Sequence, residues 1–410
     1  MTHEILFLAH RTPFPPDRGD KIRSHHVLKA LATLGPVHVG CLAETDDDRA
    51  EEAELAAVAA TYCMPKRARA LPVAGVEALL KGVPVSLAAF ADKALHAWVT
   101  KTLVERPIAA IYVFSGQMGQ YVPADWRGRL VVDFVDVDSA KFEAYARDRF
   151  GPMALVHRRE GRMLGAYENT LAKRADVSLL VSEQEAALLR DRCPQAGDVR
   201  ALRNGVDCAL FDPREAVPQP ELASASGPHF LFTGQMDYAP NIDAVTRFAR
   251  RILPQIRASH ADAQFHIAGR APTPAVQKLA EQQGVRVWGG VPDMRLFLAA
   301  ADIVVAPLTI ARGVQNKVLE AMAMARPVLA SPEALTGIEG TSQTHFVSSP
   351  DDAAFVANAK TLLAAPHRMA AMGKAARSLV EETMSWPAML APLPQLIGIA
   401  PRAGGHRDAA

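Results

Sequence analysis

The stretch Ala311-Arg312-Gly313-Val314-Gln315-Asn316-Lys317-Val318-Leu319-Glu320 combines three kinds of chemistry in a short span. A glycine loop that opens a helix gathers free N–H donors at the positive end of the helix dipole. Lys317, in the first turn, adds a cation for phosphate. Glu320 follows at i+3 on the same face, where a carboxylate can accept hydrogen bonds from two adjacent ribose hydroxyls. Glycine loop, cation and acceptor together suit a nucleoside diphosphate. The competing reading is an exposed Lys–Glu pair on a surface helix. Val318, Leu319, Met322 and Ala323 weigh against it, because they make this helix largely apolar.

Three other loops carry weaker signals. His10 to Lys21 is proline-rich and feeds a helix; there Gly19, with Asp20 beside it, lets backbone approach an anion closely. It is not GxGxxG, so the dinucleotide fingerprint is absent, and a plain turn with solvated charges stays open. Asp133, Asp136 and Asp138 crowd the end of an apolar run, which is costly unless they are paired or used. Asp138 or Ser139 can cap the next helix; alternatively Asp136 or Asp138 touches substrate. Gly234, in Thr233-Gly234-Gln235-Met236-Asp237, opens another helix and presents backbone N–H groups to phosphate, or simply makes a tight turn with Asn241 near the cap.

These loops need strands to hold them. Apolar runs at Ile5–Ala9, Val37–Leu42, Ile108–Phe114, Leu130–Val137 and Val177–Val181 alternate with helical patterns. The alternation restarts at His229–Thr233, Ala263–Ala268, Val285–Trp288, Ile303–Pro307 and Pro327–Ala330. Most runs are continuously apolar, the mark of parallel strands covered on both faces. Residues 139–173 read as one helix or two, broken at Gly151-Pro152. The spacing therefore predicts two doubly wound α/β domains, 1–212 and 229–385. A Pro/Ser linker joins them at 213–228, a helix follows at 386–400 and a frayed tail at 401–410. In such sheets ligands bind beyond the carboxyl ends of the strands.

The chain has 410 residues with a formal net charge of +1, which argues against a protein that coats nucleic acid. Cys41, Cys63, Cys193 and Cys208 form no CxxC pair and no zinc spacing, so neither a disulfide framework nor a metal site is expected. The first apolar run is too short for a secretory leader, and no run is long enough to span a membrane. A reducing, cytoplasmic setting is therefore expected. Within 141–174, Lys141, Arg147, Arg149, Arg158, Arg159, Arg162, Lys173 and Arg174 outnumber their acidic neighbours. Two readings stay open: a solvated helix face, or a face that sits peripherally on anionic membrane.

Asn316-Lys317-Val318-Leu319-Glu320-Ala321-Met322-Ala323, followed by Arg326-Pro327-Val328, resembles the donor motif of family 4 retaining glycosyltransferases, which have the GT-B fold. Leu202-Arg203-Asn204-Gly205-Val206-Asp207, with Phe211 and Pro213, is similar to that family's crossover segment. Ala268-Gly269-Arg270 and Val287-Trp288-Gly289-Gly290-Val291 resemble its later strand ends. Gln235-Met236-Asp237 and Arg312 to Lys317 resemble the subgroup of sugar transferases associated with PEP-CTERM/exosortase exopolysaccharide systems. The resemblance implies two Rossmann-like domains facing each other across a cleft. It implies a nucleotide-sugar co-substrate, UDP- or GDP-linked, and no further cofactor. Donor contacts are implied for Gly19, Asp20, Gly234, Arg270, Trp288, Gly290, Gly313, Asn316, Lys317, Leu319 and Glu320. Lys317 and Arg312 would act on the diphosphate, and Asp136 and Asp138 near the reacting sugar. Two departures stand out: Arg312 occupies the place of the family's first motif glutamate, and Met236-Asp237 replaces its usual basic pair.

The implied function is sugar transfer to a saccharide or lipid-linked saccharide, in exopolysaccharide or envelope glycan synthesis. A sugar-nucleotide epimerase and a non-catalytic nucleotide-sugar binder are the alternatives.

Overall fold

The computed structural model of the chain describes residues 3–67, 71–147, 151–311 and 313–399. It divides into two compact units. One is built from residues up to Asn204 and again from Met389, the other from Gly205 to Ala388. Arg312 and the 401–410 tail lie outside the described residues.

The first unit holds a seven-stranded sheet in the order β3-β2-β1-β4-β5-β6-β7. Its strands are β1 (Glu4–Ala9), β2 (Val37–Cys41), β3 (Thr61–Cys63), β4 (Ile108–Phe114), β5 (Arg129–Val135), β6 (Val177–Leu180) and β7 (Asp198–Ala201). The second unit holds β8 (His229–Thr233), β9 (Gln264–Ala268), β10 (Val285–Gly289), β11 (Ile303–Ala306), β12 (Val328–Ala330) and β13 (Val347–Ser348). Their order is β10-β9-β8-β11-β12-β13. Every pairing in both sheets is parallel. Central strands such as β2 and β8 are buried along their whole length, because helices cover both faces. The strand order reverses between β1 and β4 and again between β8 and β11. Those reversals are where doubly wound sheets open a crevice for ligand.

The 213–228 segment is not the boundary. It belongs to the second unit: Gln219 N–H donates to the Leu296 carbonyl at 2.9 Å, and Leu222 is buried in that unit's core. Proline and serine mark irregular backbone, but irregular backbone can still lie packed. The division instead falls at Asn204/Gly205, where the chain passes against Ser385 and Trp386 so closely that a Cβ on Gly205 would sit 2.4 Å from the Trp386 nitrogen. From Met389 the chain rejoins the first unit, where Arg129 Nε donates to the Leu396 carbonyl at 3.0 Å. The 139–173 stretch is two helices, Asp138–Arg147 and Pro152–Arg174.

Candidate functional site

At the second unit's strand reversal, the helix Asn316–Ala323 starts after β11 and faces the turn after β8. Gln315 precedes it without a side-chain cap, and the amides of Asn316 and Lys317 have no acceptor among the described residues. Gly313, exposed and at φ +66°, supplies the left-handed turn that leads in. Val318, Leu319 and Met322 anchor the helix in the core. Leu319 is 2% exposed, so its side chain is packed in the core.

Lys317 is half-buried. Its Nζ donates to Asn241 Oδ1 at 2.6 Å and lies 4.4 Å from the centroid of the Phe232 ring. Burial pulls its pKa down to about 8, against the attraction of Glu320. Asn241 is itself fixed, since its Nδ2 donates to the Gln235 carbonyl at 2.9 Å. Glu320, one turn on, is also half-buried, and burial pushes its pKa up while Lys317 opposes. Its carboxylate makes no hydrogen bond or ion pair among the described residues. A cation on an apolar ring and an acceptor with nothing to accept are the expected state of a site that awaits an anion and hydroxyl donors.

The neighbouring loops continue this site. A Cβ on Gly234 (φ +153°) would lie 3.2 Å from Lys317 Nζ. A Cβ on Gly269 (φ +155°) would collide with the Gly234 carbonyl oxygen at 1.6 Å, so these two turns touch only because residue 269 is glycine. Gly269 N–H donates to the Gly289 carbonyl at 2.7 Å. Arg270 is exposed, without a partner among the described residues, and its Cγ lies 3.5 Å from the Cβ position of Gly290. The loops after β8, β9 and β10 and the helix after β11 therefore form one strip containing Gly234, Arg270, Gly290, Gly313, Asn316, Lys317 and Glu320. Trp288 lies on this edge, but its ring is engaged: Arg286 sits 3.8 Å above it, Phe297 packs edge-on and Nε1 donates to His266 Nδ1 at 3.2 Å. Met236 is wholly buried, which explains why a basic residue is absent there. Sequence reasoning passed over Asn241 and Phe232 as ligand-site residues; the only signal was Pro240-Asn241 at a helix start.

The first unit treats its candidates differently. Gly19 begins the helix Gly19–Leu34, exposed and with open space around it. Asp20 is tied to Arg11 at 2.5 Å and to His10 Nε2 at 3.2 Å. Burial pushes its carboxyl up, but His10 and Arg11 outweigh that and hold it well below the usual range. Asp133 is fully buried and paired with Arg23 at 2.9 Å and the Tyr112 hydroxyl at 2.8 Å, which offsets part of the cost of burying it. Asp136 and Asp138 are not free carboxylates: Lys141 Nζ binds them at 2.8 and 3.0 Å. The Ser139 hydroxyl donates to Glu168 rather than capping the helix. Asp136 and Asp138 belong to the first unit and Lys317 to the second. The basic run is also thinner than it reads. Lys141 is spent on these aspartates, Arg159 on the Ala78 and Val83 carbonyls, and Arg174 on those of Val122 and Pro123. Arg149 lies outside the described residues.

Comparison with known proteins places this geometry. No curated protein matches the chain in sequence. The sucrose-phosphate synthase of Thermosynechococcus elongatus has a similar structure, with a TM-score of 0.60 at 18% identity over 96% of this chain and 98% of that one. A glycosyltransferase from Rickettsia africae superposes with a TM-score of 0.61 at 13% identity, over 97% and 98%. Anabaena HepE, solved with UDP-glucose, gives 0.58 at 14% identity, over 96% and 99%. Residues 227–365 match the family described as "Glycosyl transferases group 1". The chain thus has the two-unit GT-B fold, and its family match falls in the unit that carries Gly234, Lys317 and Glu320.

Proposed function

We propose that this protein is a glycosyltransferase that takes a sugar from a UDP- or GDP-sugar and passes it to a saccharide or lipid-linked saccharide, in exopolysaccharide or envelope glycan synthesis. One observation carries the reading: Glu320, half-buried with no partner among the described residues, stands a turn from the under-neutralised Lys317 at a helix mouth. Glu320 accepts the ribose hydroxyls. Lys317 and the amides of Asn316 and Lys317 take the diphosphate. As the acceptor hydroxyl attacks the anomeric carbon, charge grows on the leaving phosphate oxygen, and these fixed donors lower that barrier. Arg270 is a cation without a partner among the described residues at the same strip, and Arg312 precedes Lys317 in sequence. The family match and the UDP-glucose bound to Anabaena HepE support a nucleotide-sugar donor. The resemblance to family 4 implies retention of anomeric configuration. Four free cysteines suit a reducing cytoplasm.

A thermal-shift screen of UDP-, GDP- and ADP-sugars tests this. A true ligand at a hundred times its dissociation constant stabilises by about 2.7 kcal/mol. A stabilising donor should release its nucleoside diphosphate when acceptor is added. The reading fails if no nucleotide-sugar stabilises the protein, and binding without turnover on any acceptor reduces it to a non-catalytic binder.

A further inference from the structure

The helix Leu71–Lys81 is built the wrong way round for a soluble protein. Its small residues Ala74 and Ala78 are wholly buried, against Ala88 and Ala89. Its large ones face water: Val73, Val76, Leu79 and Leu80, the last two 66% and 84% exposed. Their spacing of three and four residues puts them on one face. Arg159 of the helix Pro152–Arg174 donates to the Ala78 carbonyl at 3.0 Å, and Glu160 accepts from the amides of Val85 and Ser86 in the segment that follows Leu71–Lys81. At the start of that second helix, Met153, Leu155 and Val156 are also exposed, as is Tyr145 on the helix before it. Leu155, Arg158 and Arg162 share one face. Arg147, Arg158 and Arg162 line a cavity of about 360 Å³ and make no ion pair among the described residues. Glu143, the acid in that cavity, is already held by both Nη atoms of Arg192 at 2.9 and 2.6 Å.

We propose that this face of the first unit docks on a bilayer that carries anionic phospholipid. The arginines take headgroup phosphates, and Val76, Leu79, Leu80 and Leu155 enter the interface beside them. The charge decides the occupant. A second copy meeting this patch about a two-fold axis would set the unpaired arginines against themselves, whereas an anionic bilayer offers phosphate and hydrocarbon together. No helix among the described residues is long and apolar enough to cross a membrane, so this contact lies on the surface. The inference is independent of the nucleotide site.

Co-sedimentation of the full chain with vesicles tests it. One set is pure phosphatidylcholine; the other contains phosphatidylglycerol. At about 0.1 M salt exposed charges act over about 10 Å, and binding to the anionic set should be more than tenfold tighter. Each arginine near an anionic surface is worth about fivefold. Arg158→Gln with Arg162→Gln should therefore weaken that binding about 25-fold. Leu79→Asp with Leu80→Asp should abolish it while leaving the melting temperature unchanged, since both side chains are exposed. Glu320→Gln should bind vesicles like the parent, so failure here and failure of the donor site read separately. The proposal is overturned by equal partition to both vesicle sets, by no partition at all, or by a concentration-dependent dimer that Leu80→Asp disperses.

Discussion

Replacing Glu320 with glutamine removes its charge and keeps its shape, and the two consequences have opposite signs. Without ligand the carboxylate is half-buried with no hydrogen bond among the described residues, and burial raises its pKa above the unfolded value. A carboxyl group raised in this way adds stability only below the unfolded pKa, near 4.3, and loses it as pH rises through the folded value. At pH 7 it is a penalty. Solvent still reaches the Glu320 oxygens, so Glu320→Gln should raise stability at pH 7 by at most about 1 kcal/mol, or up to about 2–4 °C in melting temperature. Near pH 4 the two proteins should melt together. Lys317 keeps Asn241 and the Phe232 ring in the variant, so its loss is small. Donor binding moves the other way. Two charge-assisted hydrogen bonds from ribose are worth about 1.5–3 kcal/mol each, and one neutral amide oxygen replaces them. The net loss of about 2–4 kcal/mol is roughly 30- to 1,000-fold in Kd. Calorimetric titration with the donor found by the thermal screen, beside melting curves at pH 4 and 7, reads both effects. A variant that binds donor as tightly as the parent, or that is less stable at pH 7, refutes the assignment.

Lys317, with its pKa lowered to about 8, should lose its charge in mildly alkaline buffer. Donor affinity should then fall about tenfold per pH unit above 8, and Lys317→Arg should flatten that profile; a pH-independent affinity in the parent excludes a phosphate role. In the first unit, Asp133→Ala strands the buried Arg23 and should cost about 3–5 kcal/mol in urea unfolding; a loss below about 1 kcal/mol would show that Asn204 and Tyr112 suffice. His266 is locked neutral between Trp288 Nε1 and His229, and burial, with help from His229, lowers its pKa to about 3. Its stabilising effect is complete above the unfolded value near 6.5 and drains as pH falls toward 3, by about 1.4 kcal/mol per unit. Unfolding curves at pH 6.5 and 4.5 should differ by up to about 2.7 kcal/mol more in the parent than in His266→Phe, and equal differences would refute it.

The central strands and the edge strand β10 were legible, and the edge strands β3, β7 and β13 were not. β1, β4 and β8 are apolar over most of their length because both their faces are covered. β3, β7 and β13 lie at or beside sheet edges, are two to four residues long and are partly exposed, so no apolar run marks them. The helix Leu71–Lys81 escaped notice because apolar and small residues fill nearly every position, so no single apolar stripe marks it. For Asp136 and Asp138 a sequence shows carboxylates crowding but not the Lys141 ammonium folded onto them.

By itself the sequence determined the fold class, the order of the longer apolar strands and the Lys317–Glu320 pair, all of which follow from local period and spacing along one chain. Only tertiary structure decided which charges are free. Arg23 and Asp133 cancel across 110 residues, and Lys317 finds Asn241 across 76. Glu320 is left without a hydrogen-bond partner among the described residues. Whether a charge is available depends on what is packed within about 4 Å of it, and that distance is set by the fold rather than by the neighbours in the chain.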